Sequence, residues 1–207
     1  MPRRRAEGVA TRAEQATATR EALIDAARRL WADKGFFATS TAEIVEAAGA
    51  GTRGALYHHF ADREELFLAV FDAVQEELTT SMAPTKIDEV DPISRVRRVL
   101  LVFLDLVAER PDAQALLIDG PAVFGWRRWR ELESQRGLAA IENLLEAAVQ
   151  ADQIAAHLVQ PLAALLLGLM TDAALLVATS EDPARARAST ADAFAKLLDG
   201  LRTPLPG

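Results

Sequence analysis

Apolar residues recur along this chain at intervals of three and four, the period of an amphipathic helix, and no stretch alternates convincingly with period two. In the segment TREALIDAARRLWADKG, Leu23, Ala26, Ala27, Leu30 and Trp31 share one face; Thr19 is a simple N-cap without a capping box, and Gly35 ends the helix. A much shorter pattern follows, with Thr41 as cap, Ile44, Val45 and Ala48 inward and Gly49 as stop. After an Ala-Gly turn, Thr52 or Gly51 caps a second short segment whose Leu56 and Phe60 stand at i and i+4, leaving Arg53, Tyr57 and His58 on the other face. Asp62 then caps a long helix with Leu66, Val70, Phe71, Val74 and Leu78 inward.

A polar, proline-containing stretch at 83–92 separates this module from the rest. Further helices are expected at 92–109, 112–118, 125–152, 160–179 and 183–201, punctuated by Pro111, Gly120-Pro121, a loop at 153–159 and the break at 180–182. The pattern predicts an all-α protein of about nine helices: a mobile basic arm at 1–18, a three-helix helix-turn-helix module at 19–66 and a larger helical domain at 67–207. Ala and Leu dominate the apolar residues, which favours helix over strand.

The run PLAALLLGLMTDAALLVATS is apolar enough to suggest a membrane span, but Thr171 and Asp172 interrupt it. A carboxylate at mid-bilayer costs on the order of 3 kcal/mol. A buried helix in a soluble core or interface fits better, so a cytoplasmic protein with no membrane partner is expected. The basic N-terminal residues precede no apolar run and do not form a secretory signal. With no cysteine there is neither a disulfide framework nor a thiolate metal site.

Charge sharpens the division. Residues 1–65 hold ten Lys or Arg and ten Asp or Glu, whereas 66–207 hold thirteen and twenty, so the whole net charge of -7 falls in the second part. An acidic chain can therefore carry a local nucleic-acid surface in its first third. Two short helices joined by a glycine-containing turn form the helix-turn-helix pattern. The second helix can enter a major groove, where Arg53 reaches guanine edges or phosphate and Tyr57 and His58 donate to phosphate oxygens. Gly54 permits close backbone approach. Adjacent His58 and His59 point about 100° apart on a helix and make no metal site, and no metal or other cofactor is expected. Arg3, Arg4 and Arg5 are either a solubilising tail or a minor-groove or phosphate contact.

The segment LIDAARRLWADKGFFATSTAEIVEAAGAGTRGALYHHFADREELFLAVF resembles the DNA-binding module of TetR/AcrR-type transcriptional regulators. The resemblance runs unbroken from Thr19 to Phe71, with LYHHF, a basic residue and Glu-Glu-Leu-Phe as its most specific part. It implies that Thr41 opens a helix touching phosphate, that Thr52, Arg53, Gly54, Tyr57, His58 and His59 make the recognition contacts, and that Arg63 takes the place of a phosphate-gripping Lys. Ala50 stands where Val is common and Trp31 where Phe is usual.

The second half matches no particular member of that family. The resemblance implies a four-helix dimer interface from the last two helices, for which Leu162, Leu165, Leu166, Leu169, Leu176, Phe194, Leu197, Leu198 and Leu201 are the candidates. It also implies that 67–207 is an effector-binding and dimerisation domain, with double-stranded DNA carrying a palindromic operator and a small-molecule effector as partners. Phe103, Asp119, Phe124, Trp126, Trp129 and Asp172, with Arg127, are candidates for an effector pocket. Trp126 and Trp129 can equally be half-buried aromatics at a helix start, and Asp172 can serve an interface or an internal partner. There is no phosphate-cradling glycine loop with Lys, no nucleophile elbow and no His set with Ser, so no enzyme is expected. The expected function is a ligand-responsive repressor released from a palindromic operator by an apolar or aromatic effector. The alternative is a helical scaffold or small-molecule-binding protein without specific DNA recognition.

Overall fold

The computed structural model describes residues 11–82 and 91–201, and among these it contains nine α-helices and no strand. The chain divides into two compact units, Met1–Val70 and Phe71–Gly207.

The first unit contains α1 (Arg12–Lys34), α2 (Thr41–Ala47), α3 (Arg53–His59) and the opening turns of α4 (Arg63–Met82). Helix α1 begins well before Thr19. Thr11 caps it with a full capping box: its side chain accepts from the Glu14 N–H, and the Glu14 carboxylate accepts from the Thr11 N–H. Thr19 is an interior residue whose hydroxyl donates to the Gln15 carbonyl at 2.9 Å. Residues 12–18 thus belong to the helix rather than to an arm. Their lack of large apolar groups leaves them exposed, but Ala, Glu and Gln hold the helix by local propensity. Arg3, Arg4 and Arg5 lie outside the described residues.

A second box moves the start of α2. Ser40, rather than Thr41, is the N-cap, reciprocally bonded with Glu43, and Thr41 becomes the first helical residue. Lys34 at the end of α1 pairs with Glu43, and Lys34 and then Ser40 lower that carboxyl to about 2. The core gathers Leu23, Ala27, Trp31, Phe36, Ile44, Leu56, Phe60 and Phe67, all buried. Trp31 stacks on Phe67 with centroids 5.4 Å apart, and Phe36 packs 5.2 Å from Trp31.

The second unit comprises the rest of α4 with α5 (Pro92–Ala108), α6 (Pro111–Phe124), α7 (Trp126–Gln150), α8 (Val159–Ala178) and α9 (Pro183–Leu201), a 3-10 turn at Ala156–Leu158 preceding α8. Helix α6 does not stop at Ile118. It runs through Gly120 and Pro121 to Phe124. The Trp129 ring lies so close to the Gly120 backbone that a Cβ there would fall 2.4 Å from it. Packing thus favours glycine at a site where the isolated sequence signals a break, while Pro121 forfeits one helical hydrogen bond.

Helix α8 lies against α5, α7 and α9. The segment Ala156–Ala178 is long and apolar enough to cross a membrane by length and composition, yet Ala163, Leu166, Met170, Ala174 and Val177 are buried within the unit.

On α7, Glu133 is buried, a placement its lone charge in an amphipathic pattern does not announce. Its Oε1 accepts from the Thr171 hydroxyl at 3.0 Å and its Oε2 from Arg130 at 3.3 Å. Burial raises the carboxyl above its ordinary value, against the pull of Thr171 and Arg130. A folded-state pKa above the unfolded one means that the native state holds the proton more tightly. The resulting stabilisation is full below the ordinary Glu value and is lost as pH rises through the raised native value. Glu133→Gln is expected to remove that pH dependence and to leave the unit more stable than the parent above the window. Parallel urea midpoints for parent and variant across pH 4–8 would refute this.

Candidate nucleic-acid interface

The turn between α2 and α3 has its form because two glycines adopt conformations that L side chains avoid, Gly49 at φ 63° and Gly51 at φ 79°. The Ala50 N–H donates to the Val45 carbonyl at 3.1 Å and the Ala55 N–H to Thr52 at 3.0 Å, so backbone bonds fix both ends of the turn. Leu56 and the following Phe60 anchor α3 by burial. A helix of seven residues has no stability of its own, and these two side chains supply most of its hold.

The opposite face is open. Thr52, Arg53, Gly54, Tyr57 and His58 are exposed, and His59 and Thr41 are half-buried. Thr52 is the N-cap of α3 but makes no side-chain cap bond. The side chains of Thr52 and Arg53 make no hydrogen bond or ion pair among the described residues. A Cβ at Gly54 would meet only the Thr52 hydroxyl, at an ordinary 3.5 Å, so no close approach within the chain requires this glycine.

Arg63 is the exception among the expected contacts. Its guanidinium turns inward, donates to the Phe36 carbonyl at 2.6 Å and lies 4.2 Å over the Phe36 ring. Its placement clamps the turn before α2 through the carbonyl and ring face of Phe36, while its Nε is buried without a hydrogen-bond partner among the described residues. Thr39 reinforces the same turn by donating to the Gly35 carbonyl at 2.8 Å. Sequence inspection missed Arg63's inward role and the Lys34–Glu43 tie, although the Ser40-x-x-Glu43 pattern was legible.

Of the residues expected to form an effector pocket, the structure stacks Trp129 with Phe124 and disperses the others. Trp129 is buried, 4.9 Å from Phe71 and 6.4 Å from Phe124, and fills the core. Trp126 is 63% exposed and Arg127 is exposed. Trp126 is the first residue of α7, about one turn before buried Trp129, and Arg130 lies 5.8 Å from its ring. Asp119 is half-buried on α6, and Asp172 is exposed on α8. Phe103 instead lines a void of about 10 Å³ with Phe71, Val74, Gln75, Leu78 and Leu117.

The leucines expected at a dimer interface also divide. Leu165, Leu176 and Leu197 are 69%, 59% and 56% exposed, and Leu162, Leu169 and Leu201 are half-buried. Leu166, Phe194 and Leu198 are buried within the unit itself. A helix that is apolar all round gives one face to its own core, and the pattern alone does not say which.

Residues 23–70 match the profile of bacterial regulatory proteins of the tetR family, and residues 93–201 match the tetracyclin repressor-like C-terminal domain. The chain is 41% identical over 98 residues to the HTH-type transcriptional regulator TtgR of Pseudomonas putida, covering 46% of each. It is 28% identical over 162 residues to AcrR of Shigella flexneri, covering 74% of this chain and 75% of that one. With TtgR and the similar regulator ArpR, the match spans about half the length of the curated relative. Among solved structures, a TetR-family transcriptional regulator from Pectobacterium atrosepticum superposes with TM-score 0.74 at 28% identity, covering 95% of this chain and all of that one. RolR in complex with resorcinol superposes with TM-score 0.69 at 21% identity over 95% of this chain and 99% of that one, a likeness of fold. With one profile on the helix-turn-helix and the other on more than half of the whole length, this chain belongs to the TetR family of bacterial transcriptional regulators.

Proposed function

We propose that the chain is a cytoplasmic, homodimeric, effector-responsive repressor, without catalytic chemistry, that binds a palindromic operator through α3. The observation that carries this reading is the open face of α3. Thr52, Arg53, Gly54, Tyr57 and His58 are exposed together while Leu56 and Phe60 hold the helix from behind. Arg53 is the base reader, since a guanidinium can bond two acceptors on guanine. Thr41, Thr52, Tyr57, His58 and His59 serve phosphates, and Gly54 keeps the backbone low enough for contact.

Two-fold pairing through the exposed leucines of α8 and α9 requires half-sites about one DNA turn apart, roughly 34 Å. The effector acts on α4, one uninterrupted helix from Arg63 to Met82. It enters at the void beside Phe71, Val74, Gln75 and Phe103, which is apolar apart from the Gln75 amide. At about 10 Å³ this void holds no organic molecule, so binding must part α4 from α5 and α6. The closed state is tied by Arg136, which pairs with Asp72 and lies 5.0 Å over Phe71, and by Arg110, bonded to Glu77 at 2.8 Å. A coupling of about 2.7 kcal/mol lowers operator affinity a hundredfold.

Salt-dependent, sequence-selective binding to duplex DNA is the direct test. Arg53→Ala is expected to lose about 1–3 kcal/mol of discrimination at one or two base positions, measured by competition between operator variants. Unchanged sequence preference would remove Arg53 from the base edge.

A further inference from the structure

One residue on the exposed face of α8 does not suit an apolar contact. Asp172 is the only charged residue of that helix, two turns after Leu165 and one before Leu176. It is exposed, and among the described residues its carboxylate makes no ion pair or hydrogen bond. A carboxylate amid exposed leucines weakens any apolar partner that offers it no cation.

A cation lies close by on the same side. The Arg130 guanidinium reaches from α7 onto Gly168, where a Cβ would sit 2.8 Å from its Nη2. Gly168 and Asp172 are one turn apart on α8. Nη1 is held by Glu133, and Nη2 has no acceptor among the described residues. On its other side Arg130 lies 5.8 Å from the ring of exposed Trp126. Trp126, Arg130, Leu165, Asp172 and Leu176 thus pair an unused acceptor with an unused donor and add exposed leucines and an aromatic. Tryptophan and arginine are the residues most enriched at the energetic centres of protein interfaces.

We propose that a second copy of this chain docks here, with Asp172 of one protomer bonded to the partner's Arg130 and Trp126 buried beside the pair. The inference rests on the homodimer proposed above and extends its interface from α8 to the start of α7. Two-fold symmetry makes the pair twice. Charge complementarity within one strip selects a copy of the same chain, because the strip carries both halves of the pair. Within its own chain Arg130 is bonded to Glu133 and not to Asp172. Trp126 is on this account a dimer contact and not part of the effector site.

The test uses the full chain and its dimer dissociation constant by sedimentation, with mixed dimers counted by native mass spectrometry. Asp172→Lys places like charges opposite each other and should weaken the dimer on the order of a hundredfold, with helicity unchanged. Arg130→Glu should do the same. Mixing the two variants should restore a heterodimer of near-native affinity, since each interface then holds one native pair and one reversed pair. If Arg130→Glu does not fold beside buried Glu133, Asp172→Lys and Trp126→Ala decide the matter, each expected to weaken the dimer at least tenfold. A native dimer indifferent to Asp172→Lys, or folded variants that mixing does not rescue, would overturn the pairing and leave the homodimer standing. A native chain that is monomeric at micromolar concentration would remove the homodimer as well.

Discussion

Trp129→Ala is expected to destabilise the second unit by about 3–5 kcal/mol, the usual cost of deleting a fully buried aromatic. Trp129 lies between Phe71 and Phe124, with its ring against Gly120 where a Cβ would fall 2.4 Å away. That contact packs α7 against α6 at Gly120, so the cavity left by alanine would open the α6–α7 seam as well as lose the buried area. The measurement is the denaturant midpoint of the second unit, followed by far-ultraviolet circular dichroism with Trp31→Phe as the common background. Trp126→Ala, on a ring that is mostly solvent-exposed within its own unit, should move the midpoint far less in the same assay, by no more than the dimer contact it removes. Equal losses for the two variants would mean that Trp126 is packed as deeply as Trp129 and would contradict the geometry.

Arg63→Ala should destabilise the first unit by roughly 2–3 kcal/mol, combining a charge-assisted bond to a carbonyl with a cation lying over an aromatic ring. Operator affinity should fall for all sequences alike, because the turn before α2 loosens, while the salt dependence of binding stays close to that of the parent. A phosphate contact predicts a salt slope lower by about one. Arg63→Lys separates the two accounts further. Lysine restores a charge for phosphate but lacks the planar fork that bonds the Phe36 carbonyl while stacking on the ring. Full rescue by lysine would return Arg63 to the phosphate backbone.

Much of this protein is legible in the sequence, because the deciding signals are local. The helix-turn-helix is an example. Gly49 and Gly51 mark a turn that only glycine makes cheaply, and Leu56 and Phe60 can share one face only if α3 is a helix. Where local cap signals compete, the pair that satisfies more donors decides the helix start. Thr19 and Thr41 are plausible caps, but Thr11 with Glu14 and Ser40 with Glu43 satisfy two donors each and set the true starts of α1 and α2.

The all-helical fold, the order of the elements and the polar face of α3 are written in local sequence, since each follows from the period of apolar residues and from glycine geometry within a few turns of chain. Which side of each helix meets which neighbour is settled by packing across the fold. It placed Trp129 in the core and Trp126 outside it, although both begin the same helix. It turned Arg63 inward to a carbonyl 27 residues away in sequence, and it buried Leu166 while exposing Leu165. Burial is a property of surfaces that meet across long sequence separations. The helical period fixes which residues share a face, and only the packed neighbours choose whether that face is core, interface or solvent.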